Sequence, residues 1–130
     1  LRPAMSLTAQ VIAVHEVAAG QSVGYGASWV APRDSRIATV SCGYADGYPR
    51  QAPEGTSVWV AGQRAPLVGR VSMDMLTVDI SAVPAAQLGS AVELWGAQLP
   101  VDELAQACGT IGYELLSRVT ARVPRRYRQF

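Results

Sequence analysis

Short apolar segments, each bounded by glycine, proline or aspartate, make up most of the first 95 residues of the chain. Segments of this kind are typical of β-strands. They predict strands over 6–20, 23–30, 36–41, 57–61, 64–68, 75–81 and 91–95, with the first strand broken near His15-Glu16. Gly62-Gln63 fits a two-residue hairpin turn with glycine first, and Pro66 indicates an edge strand or a bulge.

The pattern changes after residue 95. Over Val101–Cys108 the apolar residues recur at helical spacing, acidic residues lie in the first turn, and Gly109 can end the helix. A second short helix is predicted over Ile111–Ser117 and a closing strand over Val119–Val123. Seven or eight strands with two late helices predict a mainly β fold, a small β-barrel with two short helices in the C-terminal half, in one domain over residues 1–130.

Composition narrows the classes of function. The 130 residues are 49% hydrophobic and 16% charged, as expected of one folded domain, and a net charge of +1 gives no electrostatic case for nucleic acid or an anionic membrane. No apolar run reaches the length of a membrane span, and no signal-peptide pattern opens the chain. Cys42 and Cys108 have no metal-ligand spacing, so we expect no metal site and a reducing, cytoplasmic compartment.

The chain contains no lysine, and all eleven of its basic residues are arginine. It therefore has no side-chain amine that could form a Schiff base. Chemistry that needs such an amine must take it from outside this sequence. The opening Leu1-Arg2-Pro3-Ala4-Met5 reads like a linker that leaves an earlier domain.

Two stretches stand out as candidates for chemistry. Ser41–Arg50 follows a predicted strand and holds two glycines, two tyrosines, an aspartate and a proline, which predicts a tight turn. Within it, Tyr44 either packs its ring and bonds its hydroxyl, or projects into a cleft. Val71–Met75 is either a strand start whose methionines fill gaps, or a turn in which the Met73 backbone N–H binds an anion and Asp74 serves as a brace.

The candidate residues in the C-terminal part of the chain also allow more than one interpretation. Tyr113, on the first turn of the second predicted helix, either packs in the core or joins free N–H groups in binding a phosphate. Arg125, Arg126 and Arg128 are most simply a solvated tail. His15 is the single histidine, and no residues at metal-ligand spacing accompany it, so a packed or surface position is favoured.

Together these stretches resemble the C-terminal domain of alanine racemase. The resemblance covers the whole chain and is carried by Leu1–Leu7, Val23–Ala27, Cys42–Arg50, Gly69–Asp74, Thr110–Glu114 and Arg122–Arg125. The Gly-Tyr-Ala-Asp-Gly and Ser-Met-Asp segments are quite specific in combination, although neither would be alone. The domain in that family is mainly β, in agreement with the strand pattern.

The resemblance implies a homodimer of two-domain subunits that uses pyridoxal 5′-phosphate to interconvert L- and D-alanine, and so provides D-alanine for cell-wall peptidoglycan. An N-terminal α/β barrel holds the cofactor on a lysine, and the C-terminal domain completes the partner's site. Racemisation needs a base on each face of the amino acid, the lysine on the D face and a tyrosine on the L face. A free phenol has a pKa of about 10, so that tyrosine needs positive or donor groups nearby.

Carried over by position, the resemblance implies roles for six residues. Tyr44 is the L-face base, the Met73 backbone N–H binds the substrate carboxylate, and Tyr113 bonds the cofactor phosphate. The entrance corridor of the site is lined by Arg70, Asp74 and Ile111.

The N-terminal barrel domain and its lysine are absent from this sequence, so we expect the 130-residue chain to be inactive alone. Two other functions stay open. One is a serine or broad-specificity racemase, because walls of the absent barrel set the substrate. The other is a non-enzymatic β-barrel that binds a partner protein, with Tyr44 and Met73 merely structural. An upstream α/β-barrel pattern with an early lysine distinguishes the enzymes from the binding module.

Overall fold

The computed structural model describes residues 6–23 and 28–109, and this part of the chain has eight strands, one 3₁₀ turn and one α-helix. The strands are β1 (Leu7–Val17), β2 (Ser22–Val23), β3 (Trp29–Val30), β4 (Ser35–Val40), β5 (Ser57–Val60), β6 (Gln63–Val68), β7 (Leu76–Asp79) and β8 (Ala91–Trp95). The 3₁₀ turn covers Tyr44–Asp46, and the helix α1 covers Val101–Ala107.

Six of the strands close into an antiparallel barrel in the order β1-β4-β7-β6-β5-β8, while β2 and β3 form a separate two-stranded sheet. Alternate side chains point into the barrel. In β5, Val58 and Val60 are fully buried, whereas Ser57 and Trp59 are only partly buried. The mainly β class and the small barrel predicted from the sequence are therefore confirmed.

The first strand is continuous, and the break predicted near His15-Glu16 is wrong. Both residues pair with β4 in regular register. The irregularity lies between Val11 and Ala13, where Ile12 is an extra residue on β1 opposite β4. A bulge of this kind increases the local twist. The twisted strand pairs with β8 through its first half and with β4 through its second half.

The β5–β6 hairpin is present, but its turn lies one residue earlier than predicted. The turn residues are Ala61 and Gly62, with φ values of 50° and 82°, rather than Gly62 and Gln63. Two positive φ values define a type I′ turn, whose twist matches that of the flanking strands. Pro66 lies in β6, between two neighbouring strands and not at an edge, in a part of β6 that pairs with β5 but not with β7.

The helix α1 begins at Val101, as predicted, and Gly109 follows its end with a φ of 72°. The second predicted helix, 111–117, and the closing strand, 119–123, lie outside the described residues. Within the described ranges, none of the helical segments combines the length and apolar character that crossing a membrane requires.

Candidate active site

Tyr44 opens the 3₁₀ turn that follows β4, and its neighbours hold this turn in place. The Asp46 carboxylate accepts a hydrogen bond from the Gly43 backbone N–H at 3.1 Å. Gly47 ends the turn with a φ of 101°, a conformation that residues with a Cβ rarely adopt. Tyr48, 1% exposed, then fixes the segment in the core. The tight turn predicted for this stretch is therefore present and attached to the barrel.

Backbone contacts join this turn to the second candidate stretch. The Tyr44 N–H donates to the Ser72 carbonyl at 3.0 Å, and the Ala45 N–H donates to the Met73 carbonyl at 2.9 Å. Gly43 makes this approach possible, because a Cβ there would lie under 3.0 Å from both carbonyl oxygens and 2.6 Å from the Met73 carbonyl carbon. The two stretches that the sequence singled out thus pack backbone to backbone.

Residues 72–75 form a compact turn that presents the Met73 backbone. The Ser72 hydroxyl donates to the Met75 carbonyl at 2.8 Å, and the Ser72 N–H donates to the same oxygen at 2.9 Å. The Met75 N–H donates back to the Ser72 hydroxyl oxygen at 3.2 Å. In the described ranges, no group accepts a hydrogen bond from the Met73 N–H. Met73 as a residue is 53% exposed, and a backbone N–H without a protein acceptor can donate to an anion.

A cleft of about 490 Å³ opens where the two stretches meet, and Tyr44, Arg70, Met73 and Asp74 all line it. The structure thus brings together four of the six residues implicated by sequence. Tyr113 and Ile111 lie outside the described residues.

Arg50 also lines this cleft, although no pattern in the sequence predicts a role for it. Its guanidinium carbon lies 5.0 Å from the centroid of the Tyr44 ring, within the range of a cation–π interaction. The only sequence signal was its place at the end of the Gly-Tyr-Ala-Asp-Gly stretch. A six-residue separation within an irregular segment does not predict a contact, because no regular periodicity relates the two side chains.

The Tyr44 ring is half-buried and packs against the barrel core on its way to the cleft. Both interpretations of this residue from sequence are therefore partly met. The ring packs like that of a structural tyrosine, and the side chain also reaches a cleft that holds a free backbone donor.

Two buried groups of the Ser41–Arg50 stretch are held in their protonated form at neutral pH. Burial, with a smaller effect of the Asp46 carboxylate, raises the pKa of the Cys42 thiol to about 12. Burial also raises the pKa of the Tyr48 phenol well above its usual value, and its hydroxyl has no hydrogen-bond partner among the described residues. Of the two tyrosines in this stretch, only Tyr44 lines the cleft.

An apolar groove of similar volume adjoins the cleft and shares Arg70, Ser72 and Met75 with it. Ile12, the bulged residue of β1, lines this groove and is 46% exposed, and Met75 is 44% exposed. His15 lines the same groove, and among residues 6–23 and 28–109 no group of potential metal ligands surrounds it. Ile12 and Met75 thus give the groove an exposed apolar surface next to the cleft.

Comparison with known proteins identifies the family. The model of the family described as "Alanine racemase, C-terminal domain" matches residues 4–127. Alanine racemase of Stutzerimonas stutzeri (strain A1501) is 74% identical over 127 residues, which are 98% of this chain and 36% of that protein.

Solved structures agree with this result. The crystal structure of biosynthetic alanine racemase from Pseudomonas aeruginosa has a TM-score of 0.96 and 70% identity, over 99% of this chain and 36% of that one. Alanine racemase from Bartonella henselae, with covalently bound pyridoxal phosphate, has a TM-score of 0.86 and 36% identity, over 91% of this chain and 33% of that one. This chain spans about a third of the length of these relatives. It belongs to the alanine racemase C-terminal domain family.

Proposed function

We propose that this chain is the C-terminal domain of a protein that interconverts L- and D-alanine with pyridoxal 5′-phosphate, and that it completes the active site. The observation that carries the proposal is the family match over residues 4–127, together with 74% identity to a protein named alanine racemase. D-Alanine for peptidoglycan is the proposed product. The two free cysteines fit a cytoplasmic enzyme.

In this proposal the Met73 backbone N–H binds the carboxylate of the amino acid. Support comes from the position of Met73 on the cleft wall and from the absence of a described acceptor for this N–H. Two guanidinium groups, those of Arg50 and Arg70, line the same cleft and favour an anionic ligand there. Arg70 and Asp74, with Ile111, are the proposed walls of the entrance corridor.

The Tyr44 phenol is the proposed group that exchanges the α-proton on the L face. Its position in the cleft that holds Met73 supports this role. Packing of the ring against the core and Arg50 is equally compatible with a structural tyrosine. The chain also holds a second Gly-Tyr pair, Gly24-Tyr25, outside the described residues. The test of the base must therefore include both phenols.

Pyridoxal phosphate, when bound, withdraws electrons from the amino acid and acidifies its α-proton. An arginine-lined cleft fits the neighbourhood of such an anionic group, and Tyr113 is the residue proposed to hold its phosphate. Because this chain has no lysine, the amine that binds the cofactor comes from a different domain. We propose that an N-terminal barrel domain supplies it and that the 130 residues alone are inactive.

The apolar groove beside the cleft supports the proposed partners. Ile12, Met73 and Met75 expose apolar surface next to the site, as expected of a face covered in the full-length protein. An N-terminal domain and a second subunit of a homodimer are the proposed covering surfaces. Substrate walls from those parts decide between alanine and serine, so a serine or broad-specificity racemase is the alternative within this function.

The test uses the full-length parent in deuterated water. Tyr44→Phe and Tyr25→Phe are compared for exchange of the α-proton from L-alanine and from D-alanine, each measured separately. Loss of exchange from L-alanine alone, in Tyr44→Phe only, supports Tyr44 as the base. The same selective loss in Tyr25→Phe, with Tyr44→Phe active, transfers the role to Tyr25. Failure of the unmodified parent to racemise alanine, with serine racemised instead, overturns the proposed substrate.

A further inference from the structure

Arg50 differs in its environment from the two arginines of this surface that form salt bridges. It is exposed, and in the described part of the chain no carboxylate forms a salt bridge with it, although Arg33 and Arg64 each have one. Its guanidinium lies over the Tyr44 ring instead, 5.0 Å from the centroid. Holding an exposed arginine side chain in one orientation costs conformational entropy, and a cation–π contact at this distance offsets such a cost.

The chain fixes both partners of this contact. The two residues before Arg50, Tyr48 and Pro49, are buried, and the Ala52 N–H donates to the Pro49 carbonyl at 3.2 Å. On the other side, Tyr44 begins the turn that is hydrogen-bonded to Ser72. The guanidinium and the ring therefore meet on two anchored backbones.

We infer that Arg50 is a positioning residue for Tyr44, holding the phenol in the cleft through a cation–π interaction with its ring. The core packs against the ring, and the guanidinium covers its face. This leaves the Tyr44 side chain a narrow range of orientations relative to the Met73 N–H. The inference rests on the proposed function only in that the cleft serves the reaction. The contact between the guanidinium and the ring does not depend on which phenol exchanges the proton.

The experiment uses the full-length parent labelled with 3-fluorotyrosine, with the Tyr44 resonance assigned by its loss in Tyr44→Phe. Arg50→Gln removes the charge, whereas Arg50→Lys keeps the charge and loses the planar guanidinium. Arg64→Gln is the matched control, because this exposed arginine pairs with Glu103 away from the cleft. Each variant is examined for the Tyr44 fluorine signal and for kcat and KM with both alanine enantiomers.

We expect Arg50→Gln to shift or broaden the Tyr44 signal and to lower kcat/KM by about 2- to 30-fold, the range that corresponds to cation–π energies. Arg50→Lys should fall between Arg50→Gln and the parent, and Arg64→Gln should change neither readout.

An unchanged Tyr44 signal in Arg50→Gln overturns the inference. So does a loss of kcat/KM that Arg50→Lys fully restores and that disappears at 0.5 M salt, since long-range charge alone would then explain it. The fluorine signal reports on the contact itself, so it remains decisive if the parent does not racemise alanine. Failure of the inference and failure of the proposed function are therefore distinguishable.

Discussion

Gly43→Ala should destabilise the chain by opening the contact between the Tyr44 turn and the Met73 turn. Gly43 has a φ of −142°, which alanine adopts without strain, so backbone conformation does not require glycine here. Space does, because the new Cβ would lie 2.6 Å from the Met73 carbonyl carbon. A Cβ cannot move away from a clash by changing rotamer, and the atoms that it would meet belong to the backbone. The two turns must therefore separate.

The size of the effect follows from the contacts that would be lost. Separation weakens two backbone hydrogen bonds, from Tyr44 to Ser72 and from Ala45 to Met73, at about 1 kcal/mol each. Overpacking adds about 1–3 kcal/mol, and the lower entropy of the unfolded alanine chain returns about 0.4–1 kcal/mol. The expected net loss is about 2–4.6 kcal/mol. An unfolding entropy of about 0.27 kcal/mol/K for 130 residues converts this loss to a fall in Tm of about 7–17 °C.

Thermal unfolding followed by tryptophan fluorescence measures the loss, and Gly55→Ala is the matched control. Gly55 has a φ of 88° and open space around its Cβ position, so alanine there causes backbone strain but no clash. That strain costs about 1–2 kcal/mol. In the full-length parent, Gly43→Ala should also reduce racemisation, whereas Gly55→Ala should not. If the Gly43→Ala chain melts within about 2 °C of the original, or above the Gly55→Ala chain, the space at this contact does not require glycine.

Two further predictions concern the donor at Met73 and the buried thiol. In the full-length parent, Met73→Pro removes the proposed carboxylate donor and should raise KM for alanine about 10- to 100-fold, as expected for a hydrogen bond to a charged group. Met73→Leu, which keeps the N–H, should leave KM unchanged, and equal KM values for the two variants would contradict the role. Burial raises the pKa of Cys42 from 9.0 to about 12, so the thiol favours folding below pH 9. That stability is lost as pH rises toward 12, because the unfolded thiol ionises first. The free energy of unfolding, measured with urea, should fall between pH 9 and 10 by up to about 1.4 kcal/mol per pH unit. This pH dependence should flatten in Cys42→Ala but not in Cys108→Ala. An unflattened slope in Cys42→Ala would assign the pH dependence to other groups.

The local sequence predicted individual strands well where turn-forming residues mark both ends of the strand. β8 runs over Ala91–Trp95, as predicted, because Gly96 stops the apolar run. The break predicted in β1 failed because polar residues such as His15 and Glu16 can continue a ladder when their strand has a partner. The bulge at Ile12 left no signal in composition, since it serves the pairing of one strand with two neighbours.

The candidate site was predictable as two separate stretches but not as a cleft. Sequence alone identified Tyr44 and Met73 as unusual, and it left their packing and chemical roles open. Arg50 was missed because its contact with the Tyr44 ring depends on how an irregular segment folds back. No periodic pattern predicts how this segment folds back, and the positions of glycine and proline indicate only that a turn occurs.

Strand pairing supplies the information that the local sequence lacks. β4 and β7 are antiparallel neighbours, and their ladder ends at the pair Val40 and Leu76. The segment that leaves β4 and the segment that enters β7 must therefore meet at the same end of the barrel. Those segments are the Tyr44 turn and the Met73 turn. A register slip of one residue would displace one turn past the other by about 3.4 Å and reverse the faces of the strand. The hydrogen bonds to Ser72 and Met73 would then be lost, so the barrel core that fixes this register also fixes the geometry of the cleft.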